Sequence, residues 1–234
     1  MVGILTTAAV DRRTGILRIT GEPGGDFHLW RGKVVAVNSP GAPGVPELLA
    51  RPGRNLPGAM ELRALRVTAA FDAAFAVAAG WIGDCFWAMT DVDPPQAVID
   101  PAFGVEPVVL EAETTRRLRG VAPGRIAPHR HHLARTELGD TVLRAAEAGQ
   151  RREILLRVDG RHTCREIAFL LGRSLYAVTV EISRWSVDGV VTVTAPPGGV
   201  FAGPPHLPRR RRDASGINEL YPPESTMRAT ERKR

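Results

Sequence analysis

His129-Arg130-His131-His132 is the densest cluster of potential metal ligands in this 234-residue chain. Three imidazoles close together can bind a transition-metal ion. A folded site also needs spacing that converges them, such as H-x₃-H on a helix, and usually a cysteine or carboxylate nearby. The segment has neither, and the surrounding arginines repel a cation, so it reads as a solvated stretch and no metal is expected. Hydrolytic chemistry has no better carrier. There is no Gly-x-Ser-x-Gly elbow and no HExxH. Asp91 and Asp93 border a Pro-Pro loop and lack an acid/base partner. Gly21, Gly24 and Gly25 do not have the spacing of a dinucleotide turn, and no GxxxxGK[ST] loop occurs. A non-enzymatic protein without cofactor is expected. Cys85 and Cys164 sit in apolar surroundings and read as buried free thiols, which fits a reducing cytoplasm.

The remaining chemistry is attraction of anions. The net charge is +6, but it is unevenly placed. Residues 1–110 are net −2, 111–135 net +4, 136–200 net 0 and 201–234 net +4. Arg209, Arg210, Arg211 and Arg212 form a run that attracts polyanions without specifying which, and a solvated tail is its plain alternative. Arginine outnumbers lysine 29 to 2, read as the signature of a G+C-rich genome. The opening residues make a poor signal peptide, and no apolar run approaches the ~18 residues needed to span a membrane. Neither secretion nor membrane insertion is expected.

The elements that position these groups are clearest between Glu153 and Thr194. A first helix ends at the turn dipeptide Asp159-Gly160. Thr163-Cys164-Arg165-Glu166 has capping-box spacing, and Gly172 suits the stop of the helix that it opens. Ser174 caps a third helix with Val178, Ile182 and Trp185 on its apolar face, and Val190–Thr194 reads as a strand. Three helices with a tight turn, followed by a strand, are the parts of a winged helix-turn-helix. The third helix would then read DNA. With Val178, Ile182 and Trp185 inward, Tyr176, Thr179, Ser183 and Arg184 are expected to face outward. Only Arg184 among them can make a bidentate contact to guanine. Arg161, Arg165 and Arg173 could hold phosphates.

The segment DGRHTCREIAFLLGRSLYAVTVEISRWSVDGVV resembles the C-terminal winged helix of bacterial regulatory proteins that carry an N-terminal PATAN-type domain. The matching residues are Asp159-Gly160, Thr163, Ile167-Ala168, Leu171-Gly172, Val178, Ile182 and Gly189-Val190. Upstream, TGILRIT, GGDFHLWRGKVVAVNSPGAP, PELLARPGR and DAAFAVAAG look like the PATAN domain over Arg13–Met89. The resemblance implies an interaction or sensing module attached to a regulator, associated with signalling partners such as Roadblock-type small-GTPase modules.

The N-terminal half reads independently as a β-meander over residues 14–38, a short helix at 46–50, a long alanine-rich helix at 57–79 and a further strand around Cys85, Trp87 and Met89. Phe27 and Leu29 share one strand face, which leaves His28 and Trp30 on the other as a candidate patch for a protein partner. Pro107 opens another helix. The expected architecture is α+β: a PATAN-like interaction domain (1–121), a basic linker (122–135), a winged helix-turn-helix domain (136–200) and a disordered Pro/Arg-rich tail (201–234). Two functions follow: a transcriptional regulator that binds DNA, or a protein–protein adaptor whose winged helix does not.

Overall fold

The opening apolar stretch is a helix, α1 (Val2–Val10), whose Leu5 and Ala8 are buried. The computed structural model describes residues 2–88 apart from 52, 54 and 56, residue 100, and residues 104–194. Alternating side chains after Thr14 produce β1 (Gly15–Glu22), β2 (Gly25–Trp30) and β3 (Lys33–Asn38), joined as an antiparallel meander. Leu17 pairs with Phe27, and Phe27 with Val37, so one face of the meander is continuously apolar. A short helix, α2 (Val45–Leu49), precedes the long α3 (Ala59–Ala78). Next, β4 (Trp81–Ala88) pairs antiparallel with β1, giving a four-stranded sheet of order β3-β2-β1-β4.

The long helix is buried on more than one side. A single apolar stripe through Leu65, Thr68, Phe71, Phe75 and Ala78 would bury one side. Instead every residue from Asp72 to Val77 is buried, so the C-terminal half of α3 is enclosed all round. One side packs on the sheet through Ala70, Ala73, Ala74 and Val77. The other, through Phe75 and Ala76, enters a core built mostly by the C-terminal helices. Alanine makes this sandwich feasible, because its small side chain lets layers approach from both sides.

The C-terminal elements follow α4 (Pro107–Val121), which opens on proline as expected. A 3₁₀ turn over Ala122–Gly124 leads to β5 (His132–Arg135), α5 (Glu137–Ala145), α6 (Gln150–Arg157), α7 (Cys164–Leu171), α8 (Leu175–Val187) and β6 (Val191–Thr194). Helix α7 begins on the Thr163/Glu166 capping box and ends on Gly172, which is left-handed at φ 55°. A Cβ at Gly172 would also meet the carbonyl of Glu47 at 2.8 Å, so glycine serves both the turn and the close approach of α2.

Residues 122–135 do not behave as a linker. Ile126 and Leu133 are buried, and β5 pairs with β6 from His132–Thr194 to Arg135–Val191. Ala42, Phe75, Ala76 and Val121 share one core with Ile154, Ile167, Leu175, Val178 and Trp185. Met1–Pro197 accordingly forms one compact unit, in which the sheet layer and the helical layer share α3. Among the described residues no helix is long and apolar enough to cross a membrane. The arginine run at 209–212, the Asp91/Asp93 loop and the expected tail from 201 onward lie outside the described residues.

Candidate functional site

Helix α8 was expected to offer one face to its own core and the other to a partner. Its sequence folds locally as anticipated: Ser174 caps it by accepting from the Ala177 amide at 3.3 Å, and Leu175, Val178, Ile182 and Trp185 point into the core. The opposite face, however, is covered from within the chain. Ser183 is buried, with its hydroxyl donating to the Val121 carbonyl at 3.0 Å and accepting from the Gly124 amide at 3.1 Å. The backbone there is so close that a Cβ at Gly124 would lie 2.3 Å from Ser183 Oγ. Ser186 Oγ reaches the Gly124 carbonyl at 3.4 Å. Tyr176 meets Phe75 of α3 edge-on at 5.5 Å between ring centroids, and its own ring lies 4.8 Å from the Arg117 guanidinium of α4.

At the start of α8 sits a buried ionic centre that the sequence reading did not single out. Asp72 of α3 is fully buried. Its Oδ2 accepts the Leu175 amide at 2.8 Å, while its Oδ1 accepts from Ser174 Oγ at 3.1 Å and from Arg117 Nη1 at 2.6 Å. Arg117 also donates to Glu113 at 2.7 Å and lies 5.3 Å from the Phe71 ring. A carboxylate at a helix N-terminus satisfies an orphan amide and interacts favourably with the helix dipole. Burial pushes the Asp72 carboxyl upward, against the pull of Arg117, Ser174 and Leu175. Three donors on one carboxylate describe its ionised form. Beside it, hydrogen bonds from Arg116 and then Arg117 hold Glu113 down at about 2, against a desolvation that would raise it. One signal in the sequence points here: Asp72 is the sole charged residue between Arg66 and Asp84, in the middle of an apolar alanine-rich helix.

The expected nucleic-acid contacts therefore separate. Tyr176 and Ser183 face α3, α4 and the 3₁₀ turn, not outward. Thr179 is fully buried and its hydroxyl donates back to the Leu175 carbonyl at 2.8 Å. Arg173 is buried and paired with Glu153, so it is not free for phosphate. Arg165 donates to the Pro40 carbonyl at 2.7 Å and stacks on Phe169, bracing the loop after β3. Arg161 and Arg184 remain exposed, with Arg184 paired to Glu181 at 3.1 Å. For Tyr176 and Ser183 the reason is that the helical phase assigned one side of α8 to solvent, and α3, α4 and the 3₁₀ turn occupy it. Arg165 and Arg173 are instead held by the loop after β3 and by α6.

The expected protein-contact pair also divides. His28 does sit on the sheet face away from α3, but it is buried, with Asn38 Nδ2 3.2 Å from its Nε2. Burial lowers its pKa and favours the neutral ring. Trp30 is exposed at the same face, as is Phe86 of β4. The three histidines of the 129–132 segment part company too. His131 Nδ1 accepts from the Ala127 amide and His132 Nδ1 lies 2.7 Å from the Arg161 carbonyl. Among the described residues no group of three or more His, Cys, Asp or Glu is placed to hold a metal ion. No protein-family model, curated protein or solved structure matches the chain.

Proposed function

We propose that the chain is a non-enzymatic protein–protein adaptor, in which the winged-helix-like elements α6–α8 and β6 serve as a structural partner of the sheet layer and do not read DNA. One observation carries this: the face of α8 that would enter a groove is packed through Tyr176 and Ser183 against α3, α4 and the 3₁₀ turn. Inserting a recognition helix into a major groove needs that face free. The partner surface on this reading is the outer sheet face, where Trp30 and Phe86 are exposed, together with Trp81 at the start of β4. The likeness to PATAN-type regulators agrees with an interaction role, and a Roadblock-type signalling partner belongs to the same proposal.

A transcriptional regulator is the second reading, favoured by the exposed Arg161 and Arg184 and by the run Arg209–Arg212. A salt titration on random and mixed-sequence duplex DNA separates the two. Each phosphate contact contributes about −0.9 to the slope of log K against log salt. The adaptor reading expects any binding to be sequence-blind and to vanish when residues 195–234 are removed. Sequence-selective binding that survives that truncation and is lost with Arg184→Ala would establish the regulator instead.

A further inference from the structure

One cleft, about 730 Å³ between the β1–β2 turn, the 38–47 loop and Phe169, has its polar groups already matched to one another. Arg18 is paired with Asp26, Ser39 donates to the Gly24 carbonyl, and Glu47 accepts the Gly44 amide. A second cleft, about 540 Å³ between α5 and α6, is differently built. Its lining is apolar at Val142, Leu155 and Trp185, and its charged groups are Arg151, Arg152 and the exposed Glu147. The Arg151 guanidinium lies 5.6 Å from the Trp185 ring centroid and is braced by Glu181 at 3.0 Å. Arg152 is half-buried and, among the described residues, has no ion-pair partner. Small-molecule sites are of this size, mostly apolar, with a few polar groups that fix orientation.

We propose that this cleft binds a small aromatic carboxylate. A flat ring would lie along Val142, Leu155 and Trp185, where it gains from apolar burial and from the guanidinium held at the ring edge. The carboxylate would take Arg152 as its counter-charge, in the forked geometry that guanidinium offers to carboxylate. A neutral ligand of the same shape would leave a half-buried cation unmatched. The inference is independent of the proposed function, since adaptor and regulator alike could carry such a site.

The test uses the full chain and calorimetric titration with 2-naphthoate and its neutral analogue 2-naphthalenemethanol. Saturable one-to-one binding is expected, with the acid favoured by about tenfold, the size of one charge-assisted contact. Arg152→Ala should erase that preference. Ala145→Phe, at an exposed position on the cleft wall, should weaken both ligands about tenfold while the melting temperature stays near wild type. No saturable heat with naphthoate overturns the site. Equal binding of acid and alcohol overturns the carboxylate, and binding indifferent to Ala145→Phe overturns the location.

Discussion

Asp72 accepts the backbone amide of Leu175 at 2.8 Å across 103 residues of sequence. One helix thus caps another, and the cap lies where the sheet layer meets the helical layer. The contact adds a polar tie to the core that the two layers share, and α8 presents little of itself to solvent beyond Arg184 and Val187.

Asp72→Ala should destabilise the chain by ~3–5 kcal/mol, because it removes the buried one of Arg117's two carboxylate partners and leaves the Leu175 amide without its acceptor. Asp72→Asn, which keeps an acceptor for the Leu175 amide, should cost less. Urea unfolding followed by circular dichroism reads both. A loss under about 1 kcal/mol for the alanine variant would mean that the ionic centre is solvated in solution.

The same centre has a pH signature. Glu113 is held at about 2 in the folded chain, below the 4.5 that is its ordinary value. A depressed carboxylate contributes stability above its unfolded pKa and loses it as pH falls through the folded one. Wild type should therefore exceed Glu113→Gln in melting temperature at pH 7, and the gap should close between pH 4.5 and about 2. A gap independent of pH would assign the effect of the substitution to packing.

Much of the fold could be read from local signals. Thr163 and Glu166, Gly172, and Ser174 announce the ends of α7 and the start of α8, because caps and left-handed stops are decided within a few residues. The meander was legible from its alternation. What periodicity could not show is which surface a second layer covers. Tyr176 and Ser183 fit a solvent-facing stripe by phase, and only the approach of Phe75, Arg117 and Gly124 makes them internal. The 122–135 segment misled for a related reason. Its prolines, arginines and histidines look solvated, whereas the two apolar residues Ile126 and Leu133 anchor it and β5 finds its strand partner some sixty residues later.

The cysteines should differ sharply in reactivity. Cys164 is fully buried and desolvation pushes its thiol up to about 12, so it should resist alkylation in the native chain at pH 8. Cys85 is only partly buried and should be modified first. Mass spectrometry after iodoacetamide treatment should find one adduct, on Cys85. Rapid modification of Cys164 would show that α7 and α8 open readily.

The internal commitment of α8 is tested most directly by two neighbouring substitutions, Ser183→Arg and Arg184→Ser, compared by urea unfolding. If Ser183 faced a groove, adding an arginine there would change stability little, as at most exposed sites, within about 0.5 kcal/mol. Packed against Val121 and Gly124, it has no room for the side chain and no counter-charge, so Ser183→Arg should lose at least ~3 kcal/mol or fail to fold. Arg184→Ser should stay within about 0.5 kcal/mol of wild type. A Ser183→Arg variant as stable as wild type would contradict the account, leaving that face of α8 open to a partner.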